Sequence, residues 1–180
     1  MSWVLSTPRT FPLLPLLIGS GTMIEAGSET TSQALNNCII GLLSNPEAIR
    51  LGQEELDRVI GSDRPPNYDD EESLPYIRAI IKEILRWRPV NKFGQNHLNI
   101  EDDWYGDSFI PQNTVIMINW WALHYDPEWY SEPEKFEPKR FLDHPLGAAE
   151  YAAHPDVNAR DHFAYGGGRR ICPGKLRYRS

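Results

Sequence analysis

Near the C-terminal end the chain reads Tyr165-Gly-Gly-Gly-Arg-Arg-Ile-Cys172-Pro-Gly174, a stretch whose residue types suit ligation of a flat, anionic cofactor. Glycines such as Gly168 and Gly174 let backbone approach a planar ligand closely. A thiol among backbone N–H groups and positive charge is pushed toward the thiolate, which is the metal-binding form. Arg170, two residues before the cysteine, offers a fixed fork for a carboxylate. Tyr165 could shield the sulfur with its ring, while its hydroxyl needs a partner or water. An idle thiol on a Gly-rich turn is the plainer alternative.

Two further groups of residues have the spacing chemistry needs. Glu83 and Arg86 stand three apart in Glu83-Ile-Leu-Arg86 and so share a helix face. Ala26-Gly-Ser-Glu-Thr-Thr31 places an acid, Glu29, beside a hydroxyl, Thr30, so that the two could pass protons. A Gly-Ser step with backbone-bonding hydroxyls can also bend a helix and open a groove. A polar patch on an ordinary helix is the other reading. His154, Asp156, Asp161 and His162 fit no compact metal spacing and read as a loop.

The elements that must position these groups follow from periodicity. Residues 1–18 read as irregular, and Gly19-Ser-Gly-Thr22 as a breaker. Apolar residues from Met23 to Leu43 recur at near-helical spacing. Ser44-Asn-Pro46 ends that helix, and Pro46 suits the first turn of a second one, running to about Ile60. Leu74 to Trp87 predicts a strong helix ended by Pro89. Short strands are expected over 93–100, 104–110 and 114–119, with Val115-Ile-Met-Ile118 as a buried one. A Pro-rich irregular stretch of this length, Tyr125 to Asp161, implies a packed or functional segment. The fold class is mainly α with a small β part (α+β).

Bulk properties narrow the rest. The 180 residues suffice for one domain with a core, and 41% are hydrophobic, which excludes disorder. Net charge is 18 − 25 = −7, against a nucleic-acid partner. Beyond Gly166 the sign reverses locally, with five basic residues and no acidic one, which suits an anionic ligand. The two cysteines, Cys38 and Cys172, form no CxxC, so a cysteine zinc site is excluded and a reducing compartment is the better reading. Cys38 reads as core. The apolar run Phe11 to Ile18, broken by Pro12 and Pro15, is too short for a membrane anchor.

Taken together, the motifs resemble those of cytochromes P450. Gly168, Arg170, Cys172 and Gly174 match four of the five fixed positions of that family's haem loop, and Tyr165 replaces its Phe. Glu83 and Arg86 match the family's Glu-x-x-Arg, and Phe136-Glu-Pro-Lys-Arg140-Phe141 is similar to its Pro-Glu-Arg-Phe region. Residues 26–31 look like the distal-helix signature. The wording of the motifs is closest to fungal microsomal members.

The resemblance implies a partial cytochrome P450 fold, the proximal haem half, over residues 19–174. Residues 1–18 are unlike the family, and 175–180 read as a truncated tail, so the chain is expected to be a fragment. The resemblance further implies haem b as cofactor, with Cys172 as axial iron ligand and His97 at a haem propionate. A plain surface histidine is the alternative for His97. Glu83, Arg86 and Arg140 would form a three-residue network behind the haem. Thr30 would hydrogen-bond dioxygen, and Glu29 would help deliver protons. The implied reaction is oxygen insertion into a small-molecule organic substrate, with electrons from an NADPH-cytochrome P450 reductase-like donor. The family is associated with the endoplasmic-reticulum membrane. A non-catalytic remnant, binding haem weakly or not at all, stands as the alternative.

Overall fold

The computed structural model describes residues 13–175. The expectations for residues 1–12 and 176–180 lie outside the described residues. The chain begins with one long helix, α1 (Leu13–Ser44), which runs through Gly19–Thr22 without a break. This corrects the expected start at about Thr22. Ser20 and Thr22 donate their hydroxyls to Leu17 and Ile18 carbonyls at 3.0 and 2.9 Å, so the polar residues bond back into the helix rather than end it.

Asn45 then caps α2 (Pro46–Val59), accepting from Ala48 N at 3.2 Å, with Pro46 at the first helical position where its missing N–H costs nothing. A 3-10 turn over Tyr68–Ser73 follows, closed by a capping box between Asn67 and Asp70. The Arg64 guanidinium grips Asp70 with two bonds of 2.7 and 2.6 Å and holds its carboxyl down to about 2.

The centre of the molecule is α3 (Pro75–Trp87), most of whose residues are buried. Its N-terminus has no side-chain cap of its own. Instead the buried Glu55 of α2 accepts from the Tyr76 and Ile77 amides at 3.1 and 2.9 Å, placing a negative charge at the positive end of the helix. Ala48, Tyr76, Ile80, Ile84, Trp87 and Phe136 form the core cluster, with Cys38 half-buried against it. Leu74, Ile80 and Ile84 are buried along this stretch, whereas Ile81 faces outward.

Beyond Pro89 lie four short strands: β1 (His97–Leu98), β2 (Asp103–Tyr105), β3 (Ser108–Ile110) and β4 (Val115–Ile116). They make two antiparallel pairs, β1 with β4 and β2 with β3. The run Val115–Ile118 is exposed at every position, which corrects the buried strand expected there. Among the described residues nothing covers this two-stranded pair, so the apolar run stays open to solvent. A short helix, α4 (Trp120–His124), leads into the irregular region, which is broken up by α5 (Ala148–Ala152) and by 3-10 turns at Pro138–Phe141 and Val157–Ala159. Among the described residues no helix is long and apolar enough to cross a membrane.

Candidate cofactor site

Glu83 and Arg86 are both fully buried, and their side chains pair through two bonds of 2.7 and 2.8 Å on one face of α3. A buried pair of this kind is tolerable only if its remaining bonding capacity is filled. Here it is. Glu83 also accepts from the Glu137 amide at 2.8 Å and from Arg140 Nε at 3.4 Å. Arg86 donates to the carbonyls of His124, Pro133 and Lys135 at 2.9, 2.8 and 3.1 Å. Arg140 reaches the Ser131 carbonyl and, at 2.9 Å, that of Glu132. Three side chains thus hold the Pro-rich segment on α3, and Trp87 Nε1 adds a bond of 2.7 Å to the Glu134 carbonyl.

A second buried node lies beside the first, and sequence reasoning missed it. Lys82 Nζ is 3.0 Å from Asp161 Oδ2, with both side chains 1% exposed. His144 Nδ1 lies 3.3 Å from the same carboxylate, and Lys82 sits 4.3 Å over the Tyr151 ring. Burial pushes the Asp161 carboxyl up, but the His144 bond and the charges of His162 and Lys82 outweigh it and hold it low. Asp161 and His162, expected as loop residues, are both buried. The signal that could have exposed them is a lysine one position before Glu83, on the part of α3 that must be buried.

The Cys172 loop leaves this node directly. Gly166 and Gly168 have φ of 71° and 62°, the left-handed region that glycine adopts without strain. The turn is closed by bonds from the Gly166 amide to the Phe163 carbonyl and from the Cys172 amide to the Tyr165 carbonyl, each 2.9 Å. Cys172 is a free, half-buried thiol. Tyr165 is half-buried near it, its hydroxyl raised first by burial and then by the Cys172 charge. A cavity of about 530 Å³ is lined by His97, Gly167, Gly168, Arg169 and Arg170. His97 and Arg170, far apart in sequence, therefore share one cavity with Arg169, a residue sequence reasoning had counted only as part of a basic tract.

These residues fit a haem. A lone thiol offers one axial ligand, and glycine backbone leaves room for a flat ring. Three basic side chains around one cavity suit its two carboxylates. Glu29 and Thr30 are not drawn in. Both are exposed on α1, and the Thr30 hydroxyl donates to the Ala26 carbonyl of its own helix at 2.7 Å. The helix runs uninterrupted through Ala26–Thr31.

The fold has clear counterparts. A zebrafish cytochrome P450 solved with progesterone superposes with a TM-score of 0.71 at 34% identity, over 82% of this chain and 31% of that one. The family model for Cytochrome P450 matches residues 9–176. The chain belongs to the cytochrome P450 family. A cytochrome P450 monooxygenase of Clonostachys rogersoniana is 50% identical over 155 residues, or 86% of this chain and 28% of that protein. One of Aspergillus clavatus is 44% identical over 168 residues, or 93% of this chain and 31% of the relative. The chain thus spans less than a third of the length of these relatives.

Proposed function

We propose that Cys172 is the axial thiolate of haem b and that this chain forms the proximal part of a monooxygenase. The observation that carries the reading is the free, half-buried Cys172 on a glycine turn whose residues 167–170 line a cavity together with His97. The three basic side chains would orient the cofactor by pairing with its carboxylates, each Arg as a planar fork and His97 from β1. Tyr165, whose carbonyl accepts the Cys172 amide, would shield the thiolate from water on one side. The Glu83–Arg86–Arg140 network fixes the segment that leads into the loop, so the sulfur is held by structure formed before the cofactor enters.

When bound, a haem with a thiolate ligand supplies dioxygen activation, the sulfur pushing electron density that favours O–O cleavage. The substrate of the proposed reaction is a small organic molecule, and the electrons come from an NADPH-cytochrome P450 reductase-like donor. Glu29 and Thr30, adjacent on α1, are the proton-handling pair: the carboxylate takes protons from solvent and the hydroxyl passes them on. A second reading, a haem-binding chain without turnover, is favoured by one observation. Thr30 and Glu29 stand exposed, with the Thr30 hydroxyl donated to its own helix.

Titration of the chain with haem tests the proposal. The wild type and Cys38→Ala should take up one equivalent with the same absorption spectrum, and Cys172→Ala should bind more weakly with a changed one. Equal spectra for wild type and Cys172→Ala would rule out thiolate ligation.

A further inference from the structure

His124 is a fully buried side chain at the C-terminal end of α4, and both halves of it are engaged. Its carbonyl receives Arg86 Nη1 at 2.9 Å, from the Glu83–Arg86 pair. Its ring nitrogen Nε2 accepts the Phe163 amide at 2.8 Å. The Phe163 carbonyl in turn accepts from Gly166, where the Cys172 turn begins. The rings of Trp120, Phe163 and His124 lie in near-parallel succession, with centroids 5.8 and 6.0 Å apart.

The protonation of the ring follows from its bonds. An Nε2 that accepts carries no proton, so the neutral imidazole has its proton on Nδ1. That Nδ1 is buried and has no hydrogen-bond partner. Burial, His162 and Arg86 together push the ring down to about 3, so it stays neutral and Nε2 stays an acceptor. An unpaired buried donor is a standing cost that an apolar ring of similar shape would avoid. A phenylalanine would keep the aromatic stack. What it could not do is accept the Phe163 amide.

We propose that His124 is a positioning residue for the Cys172 loop, joining the buried Glu83–Arg86 pair to the backbone that presents the sulfur. The proposal rests on the reading of Cys172 as a haem ligand for its consequence, but not for its geometry. It predicts that the loop is held through one acceptor atom rather than through ring packing alone.

Two substitutions separate these. His124→Phe keeps a ring and removes the acceptor, whereas His124→Gln removes the ring and keeps an acceptor. Hydrogen exchange is measured on the full haem-free chain, and the thiolate-type Soret band on the haem-loaded one. His124→Phe should speed exchange over Phe163–Cys172 about tenfold or more, the effect of losing one buried hydrogen bond, with α3 unchanged. It should also lower the thiolate-type fraction. His124→Gln should restore both toward wild type. Unchanged loop exchange in the Phe variant, or a Gln variant as impaired as the Phe one, overturns the proposal. Should His124→Phe fail to fold, the wild type decides. A Phe163 amide exchanging as fast as those of the exposed β2–β3 hairpin overturns it, and a protected one supports it. A wild-type chain with no thiolate band would defeat the haem reading while the exchange data still judge His124.

Discussion

Around α3, charge is buried and answered; along the first half of α1, apolar side chains stand in the open. Glu83 and Arg86 are 0% exposed and every polar atom of the pair has a partner within the fold. Leu16, Leu17, Met23 and Ile24 are all more than half exposed. Among the described residues, α1 meets the rest of the molecule from its second half, where Asn37 donates to the Arg88 carbonyl at 2.9 Å and Gly41 lies against the Phe136 ring. The proximal side holds itself together, whereas among the described residues nothing packs on the start of α1, which leans on helix propensity.

The comparison predicts unequal costs. Glu83→Ala leaves Arg86 buried and Arg140 half-buried without their carboxylate and should cost about 3–5 kcal/mol, or abolish folding, read by denaturant titration. A cost below about 1 kcal/mol would mean that the loop carbonyls suffice for both guanidinium groups.

Acid should attack the same side. His124 is held at about 3 against an ordinary 6.5, so the unfolded chain binds a proton that the folded one refuses. Stability therefore falls as pH drops from about 6.5 toward 3, by about 1.4 kcal/mol per unit from this residue. Asp161, held low, contributes stability above its ordinary 3.8 that is lost as pH falls through its folded value. Thermal unfolding across that range, repeated on His124→Gln, checks the slope, which the Gln variant should flatten.

At the junction of the two regions the effect should be intermediate. A Cβ on Gly41 would come within 2.9 Å of the Phe136 ring, so Gly41→Ala must push that ring aside. About 1–3 kcal/mol is expected, measured by thermal unfolding. Smallest of all, Thr30→Val on the open part of α1 should change stability by no more than about 0.5 kcal/mol. A larger loss would show that this stretch is packed after all.

How far the sequence revealed this contrast depended on the reach of each interaction. Glu83 and Arg86 bond across one helical turn, so spacing alone paired them, and the family resemblance added Arg140. Lys82 and Asp161 meet only because the Pro-rich segment folds back on α3, and no local pattern joins them. His124 was hidden for the same reason. Gly19–Thr22 looked like a breaker because glycine is a poor helix former, yet the serine and threonine hydroxyls there bond back to the helix. Val115–Ile118 looked buried because an apolar run normally is, and periodicity carries no information on whether anything covers it. The Cys172 turn was the most legible part, since only glycine takes the φ of positions 166 and 168 without strain.

The role proposed for Cys172, a haem thiolate held by the proximal network, can be read from the carbon monoxide difference spectrum of the reduced, haem-loaded chain, with Cys172→Ala beside it. Thiolate ligation gives a thiolate-type Soret band in the wild type that disappears in Cys172→Ala. A band that survives the substitution, or a wild-type chain that takes up no haem, would contradict it.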